Sequence, residues 1–139
     1  MINVSQLRIG NWVYRDLHSN EQIITIEEIR RSDAPLVRYL IKEHLAIAYE
    51  NELSGIPLTE KWMEKFGMVT LDNEIDQIVW GFEGPKGEKI CYVSNGLHDP
   101  LPIFFEYDSG VQDIRKELKY VHELQNLHFS ITGDELQIK

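Results

Sequence analysis

The chain has one cysteine, no run of about 18 apolar residues and only 14 lysines and arginines against 23 aspartates and glutamates. Each shortage removes a class of protein. Cys91 has no second cysteine with which to close an internal disulfide and no C-x-x-C partner, a usage that suits a reducing cytosol, so a cytoplasmic protein is expected. Without a long apolar run no membrane span is expected, and Met1–Gln6 has no charged segment leading into an apolar one, so no secretory leader is read there. The deficit of base leaves a net charge of −9, and direct nucleic-acid binding is not expected, because neutralising phosphates with Lys and Arg supplies most non-specific affinity.

Phosphate-cradling and metal-binding motifs are missing as well. Neither G-x-x-x-x-G-K-[ST] nor G-x-G-x-x-G occurs, there is no H-E-x-x-H, and no Cys/His cluster has zinc spacing, so no cofactor and no metal site are expected. His122 and His128 are six apart on a predicted helix and point in different directions, and His98-Asp99 before Pro100 reads as a polar turn. Cys91 falls in a predicted strand with no histidine tied to it by sequence context, which argues for a packed thiol over a nucleophile. Acidic residues are too many for any two to be singled out as an acid–base pair. No enzyme class is supported.

What the chain does have is an uneven charge. Residues 1–42 carry six basic and five acidic side chains, whereas residues 43–139 carry eight and eighteen, and 71–113 alone holds nine acids and two bases. Arg8, Arg15, Arg30, Arg31 and Arg38 are therefore the residues that could meet an anionic ligand.

The pattern along the chain predicts one α+β domain over residues 1–139, with a strand-rich part at 1–56 and helix, hairpin and C-terminal helix at 57–139. Leu7–Ile9 leads through a Gly10-Asn11 turn into Trp12–Tyr14; Gln22–Ile29, Leu36–Ile41 and Leu45–Tyr49 read as further strands, together a bent sheet or SH3-like half-barrel. The sharpest local signal is Pro57–Gly67. Thr59 suits an N-cap whose hydroxyl accepts a backbone hydrogen bond, Leu58 and Met63 have the spacing of a hydrophobic staple, and Gly67 supplies a left-handed stop. Trp62, Met63 and Phe66 then form a packing face. Ile75–Phe82 and Glu88–Ser94 flank Gly84–Gly87 as a hairpin, and Leu101–Tyr107 adds a strand. Leu118, Val121, Leu124, Leu127 and Ile131 draw a stripe along a helix from about Ile114 or Glu117 to Thr132, stopped by Gly133. The tail Glu135–Ile138 alternates like an edge strand.

On that helix His122, Gln125, Asn126 and Phe129 recur at i, i+3, i+4 and i+7 and share one face. Two readings follow. The face holds a ligand or partner by directed hydrogen bonds, or its polar side chains satisfy backbone groups of neighbouring loops.

Three stretches, Leu7–Val13, Ile56–Trp62 with Phe66-Gly67, and Tyr120–Leu127 with Phe129 and Thr132-Gly133, together resemble a family of short Bacteroidetes proteins, often found in phage or prophage surroundings, to which no activity is assigned. Its members often carry Tyr where this chain has His128. The resemblance implies a single-domain architecture and a mobile-element setting, and no residue roles. The expected function is non-enzymatic binding of a protein partner, with a homo-oligomer left open. Two other classes stay in view: an acidic decoy of a nucleic-acid-binding protein, suggested by residues 71–113, and a small-molecule enzyme or sensor using His122 and Asn126.

Overall fold

Small polar side chains set the path of the first residues. In the computed structural model, which describes residues 2–17, 20–74, 77–83, 89–95, 103–107 and 116–138, the Asn3 side chain accepts from the Ser5 N–H and opens a 3-10 turn at Val4–Gln6. Asn11 accepts from the Arg8 N–H at 2.8 Å, and Gly10 takes φ +92°. These local bonds compete with a ladder, so the strand expected at Leu7–Ile9 is a turn.

Strand β1 (Trp12–Leu17) follows, then β2 (Asn20–Thr25), β3 (Glu28–Arg30), β4 (Leu36–Ile41), β5 (His44–Tyr49) and β6 (Leu53–Ser54). The single strand expected at Gln22–Ile29 is thus two. Ile26 exchanges backbone bonds with Gly10 and Asn11, and the next N–H, that of Glu27, donates to Arg38 O, so the chain passes from one sheet to another within two residues. The sheets have the orders β2-β1-β6 and β3-β4-β5, all antiparallel. An SH3-like half-barrel stays an expectation that this pairing does not establish.

Helix α1 (Glu60–Lys65) begins after Thr59 as expected, although the Thr59 hydroxyl makes no capping bond; its carbonyl accepts from Trp62 and Met63 instead. The stop is the expected one. Gly67 takes φ +75°, with Gly67 N–H on Glu64 O and Met68 N–H on Met63 O, a Schellman pair. A second sheet region then forms, β7 (Val69–Glu74), β8 (Gln77–Glu83), β9 (Lys89–Asn95), β10 (Ile103–Tyr107) and β11 (Lys116–Leu118), in the order β11-β10-β9-β8-β7. The hairpin pairs Glu83 with Lys89; its Gly84–Gly87 turn lies outside the described residues. Sequence reading missed β7 and β11.

Helix α2 (Val121–Thr132) starts later than the apolar spacing suggests. Lys116–Leu118 pairs with Ile103–Phe105, and the Glu123 carboxylate accepts from the N–H groups of Lys119 and Tyr120, so the helix cannot extend back past them. Leu118 is buried, but from a strand. Gly133 closes the helix at φ +76°. The tail is held without a ladder: Glu135 pairs with Arg8, and Leu136 is buried.

The described residues thus form an α+β fold with two buried clusters. Val13 faces one, with Ile24, Ile26, Val37, Tyr39, Ala48 and Leu53. Its strand neighbours Trp12 and Tyr14 pack on the other, formed by Ile56, Leu58, Trp62, Met63, Phe66, Trp80, Val121 and Leu124. Alternation along β1 makes this strand the wall between two cores.

Candidate functional site

The predicted face of α2 is turned inward, onto residues 6–12. Gln125 brackets the turn before β1: its Nε2 donates to Gly10 O at 3.1 Å and its Oε1 accepts from Trp12 N–H at 2.9 Å. Asn126 Oδ1 accepts from Asn11 Nδ2 at 2.8 Å and from Arg8 Nε at 3.3 Å, while its Nδ2 donates to Gln6 O at 3.0 Å. Phe129, partly exposed, lies under the Arg8 guanidinium at 4.1 Å from the ring centre, and both terminal nitrogens of that guanidinium donate to the Glu135 carboxylate. Three of the four predicted residues therefore meet residues 6–12, Gln125 and Asn126 through backbone groups and Phe129 through the Arg8 side chain, and the amides of Gln125 and Asn126 are spent within the chain.

His122 stands apart from this network. It is buried, stacked on Tyr120 at 5.6 Å and 11°, with Nδ1 making no hydrogen bond among the described residues. Burial pushes its imidazole below the ordinary histidine value of 6.5, with Glu123 opposing; burial does the same to His128 against Asp134 and Glu135.

The three stretches behind the family resemblance converge here. Trp12 stacks on Phe66 at 5.6 Å and 5°, and lies 5.9 Å from Trp62. Leu58 N–H donates to Lys119 O, and Val121 N–H to Ile56 O, each at 2.9 Å. Gly55 faces the Tyr120 ring so closely that a Cβ would sit 2.6 Å from it. The chemistry of this region is that of an internal clamp.

Of the arginines kept for an anion, Arg8 is paired with Glu135, Arg15 with Glu52 and Arg38 with Glu28, while Arg31 donates to Leu7 O. Leu7, Arg8, Ile9, Glu28, Ile29 and Arg31 line an open cavity of about 470 Å³ in which cations and a carboxylate offset one another. Among the described residues no group of three or more His, Cys, Asp or Glu converges as a metal site would. Cys91 lies on β9 opposite Gly81 and Glu106; His98-Asp99 and most side chains of 71–113 fall outside the described residues.

A different surface was not singled out from the sequence. On β4 and β5, Tyr39 and Ala48 point into the core, whereas Leu40, Leu45, Ile47 and Tyr49 point away from it and are 53%, 60%, 43% and 49% exposed. Register places Leu40 beside Leu45 and Arg38 beside Ile47, so the apolar side chains form one patch crossed by the Arg38–Glu28 pair. The available signal was a strand pair apolar on both of its alternating faces, which a half-solvated sheet does not need. Among the described residues no helix is long and apolar enough to cross a membrane.

No family profile, curated protein or solved structure matches this chain.

Proposed function

We propose that the chain is a non-enzymatic protein-binding accessory protein of the phage or mobile-element type, acting through the outer face of the β3-β4-β5 sheet. The observation that carries this reading is the patch Leu40, Leu45, Ile47 and Tyr49. Large apolar side chains grouped at about half exposure mark an interaction site when they are contiguous. The resemblance of Leu7–Val13, Ile56–Gly67 and Tyr120–Gly133 to a phage-associated family supports the setting. The predicted α2 face supports it indirectly: its hydrogen bonds hold the fold together, while among the described residues the β4-β5 face groups four large exposed apolar side chains.

A photo-activated cross-linking residue at Leu40, compared with one at Lys61 on α1, tests this in the native host. One defined adduct to another protein from position 40 and none from position 61 is expected. No adduct, or the same adducts from both, overturns the reading.

A further inference from the structure

We infer that β5 is a self-pairing edge, along which two copies of this chain join antiparallel into one six-stranded sheet. The inference concerns the strand's backbone edge and stands independently of the protein that docks on the sheet's face.

β5 is the last strand of its sheet, and among the described residues nothing pairs with its outer side. The direction of its backbone groups follows from the hairpin. Ile41 and His44 close a two-residue turn at Lys42-Glu43, and the pair closing such a turn exchanges both hydrogen bonds. Alternation then turns the N–H and C=O groups of His44, Ala46 and Ala48 toward β4, and those of Leu45, Ile47 and Tyr49 toward the free edge. The bond from Glu50 N–H to Pro35 O at 3.1 Å continues the same alternation. One outward group is already occupied, because Tyr49 N–H donates to the Glu52 carboxylate at 2.7 Å. The free ladder is therefore Leu45 and Ile47, ended by that carboxylate.

Natural edges are blunted by a charge, a proline or a bulge. β5, with the sequence His44-Leu45-Ala46-Ile47-Ala48-Tyr49, has no lysine, acid, proline or bulge. One two-fold register uses both backbone groups of Leu45 and of Ile47 and displaces no existing bond. With Ala46 opposite Ala46 of the second copy, Leu45 falls opposite Ile47 of the second copy and the reverse, giving four N–H···O bonds. Alanine at the axis lets the strands approach, since non-hydrogen-bonded pairs lie at about 4.5 Å between Cα atoms. Leu45 and Ile47 then form aliphatic cross-strand pairs, with Tyr49 diagonal to Leu45 of the second copy. At each end Lys42 of one copy comes toward Glu50 of the other, whose carboxylate also accepts from Val4 N–H, while Glu43 comes toward Tyr49 and the Glu52 carboxylate bound to it. The second copy meets this edge with matched side-chain sizes at every pair by symmetry.

Pairing along two residues of edge buries less than the roughly 800 Å² per partner of a standard interface, so the dimer is a weak one that forms at high protein concentration.

Sedimentation equilibrium of the full chain from about 1 to about 500 μM should show the mass rise from 16.3 kDa toward twice that value. Ile47→Pro, whose lost N–H is an outward one, and Leu45→Lys should each keep the chain monomeric across that range, with circular dichroism reporting the fold. Leu40→Lys, on the inner strand, should leave the dimer in place. Ala46→Cys should oxidise to a covalent dimer, whereas Leu45→Cys and the wild-type chain with Cys91 should not. A monomer throughout, a dimer that survives both edge variants, or equal disulfide trapping at 45 and 46 overturns the inference. A monomer that still gives the position-40 adduct leaves the docking reading standing, and a dimer without that adduct removes the docking reading alone.

Discussion

Gln125 illustrates how much a single side chain can hold. It is 1% exposed and bonds a carbonyl and an N–H on either side of Asn11, more than a hundred residues away. Gln125→Ala takes the partner from two partly buried backbone groups, and should lower stability by about 1–3 kcal/mol in urea titration. Gln125→Met, which fills the same space, should lose nearly as much, because the loss is in hydrogen bonds. The buried histidines predict a pH dependence. Burial favours the neutral imidazoles of His122 and His128 in the fold, so the unfolded chain binds protons first as the pH drops below about 6.5. Stability should be full above that value and fall as the pH goes from 7 toward 5.5. His122→Phe, which preserves the stack on Tyr120, should make that fall shallower in a melting-temperature series.

The β4-β5 hairpin turns on two non-glycine residues in left-handed geometry, Lys42 at φ +45° and Glu43 at φ +71°. Such conformations cost about 1–2 kcal/mol each in an L-residue, and the turn type prefers Asn-Gly. Glu43→Gly should therefore stabilise the chain by up to about 1 kcal/mol, read as a higher urea midpoint with an unchanged slope. The helices show which signals are legible locally. α1 has its cap, apolar face and glycine stop within eleven residues, and sequence reading placed all of them except the role of the Thr59 hydroxyl. The start of α2 was misplaced because Leu118 continues the apolar spacing while its backbone belongs to β11, and only the pairing of Lys116–Leu118 with β10 separates the two. Gln22–Ile29 was read as one strand for a similar reason, since the hand-over at Ile26 depends on Gly10, Asn11 and Arg38.

For the molecule as a whole, β1 is the shared wall. Trp12 joins the first strand to α1 through Trp62 and Phe66, and its backbone to α2 through Gln125. Trp12→Ala should cost about 3 kcal/mol and weaken the near-ultraviolet circular dichroism of the remaining aromatics, since it removes the ring contacts with Trp62 and Phe66 while the backbone bond to Gln125 stays. An unfolding curve that shifts by less than about 1 kcal/mol would mean that the two cores do not depend on this joint. The outward patch on β4-β5 makes no comparable contribution, and Leu40→Lys should leave stability within about 0.5 kcal/mol while removing the proposed adduct.

Local chemistry was enough to read the α+β class, the strands of the first fifty residues in outline, the stop of each helix and the uneven charge, because caps, left-handed glycines and alternation act within a few residues. The polar face of α2 was legible as a set, His122, Gln125, Asn126 and Phe129, but its direction was not. That direction depends on bonds between residues over a hundred positions apart, such as Gln125 to Gly10 and Asn126 to Asn11, which no periodicity contains. The same holds for the free edge of β5. Its alternation is written in the sequence, whereas its place at the end of a sheet, with Leu45 and Ile47 turned outward, exists only once β4 has taken the other side.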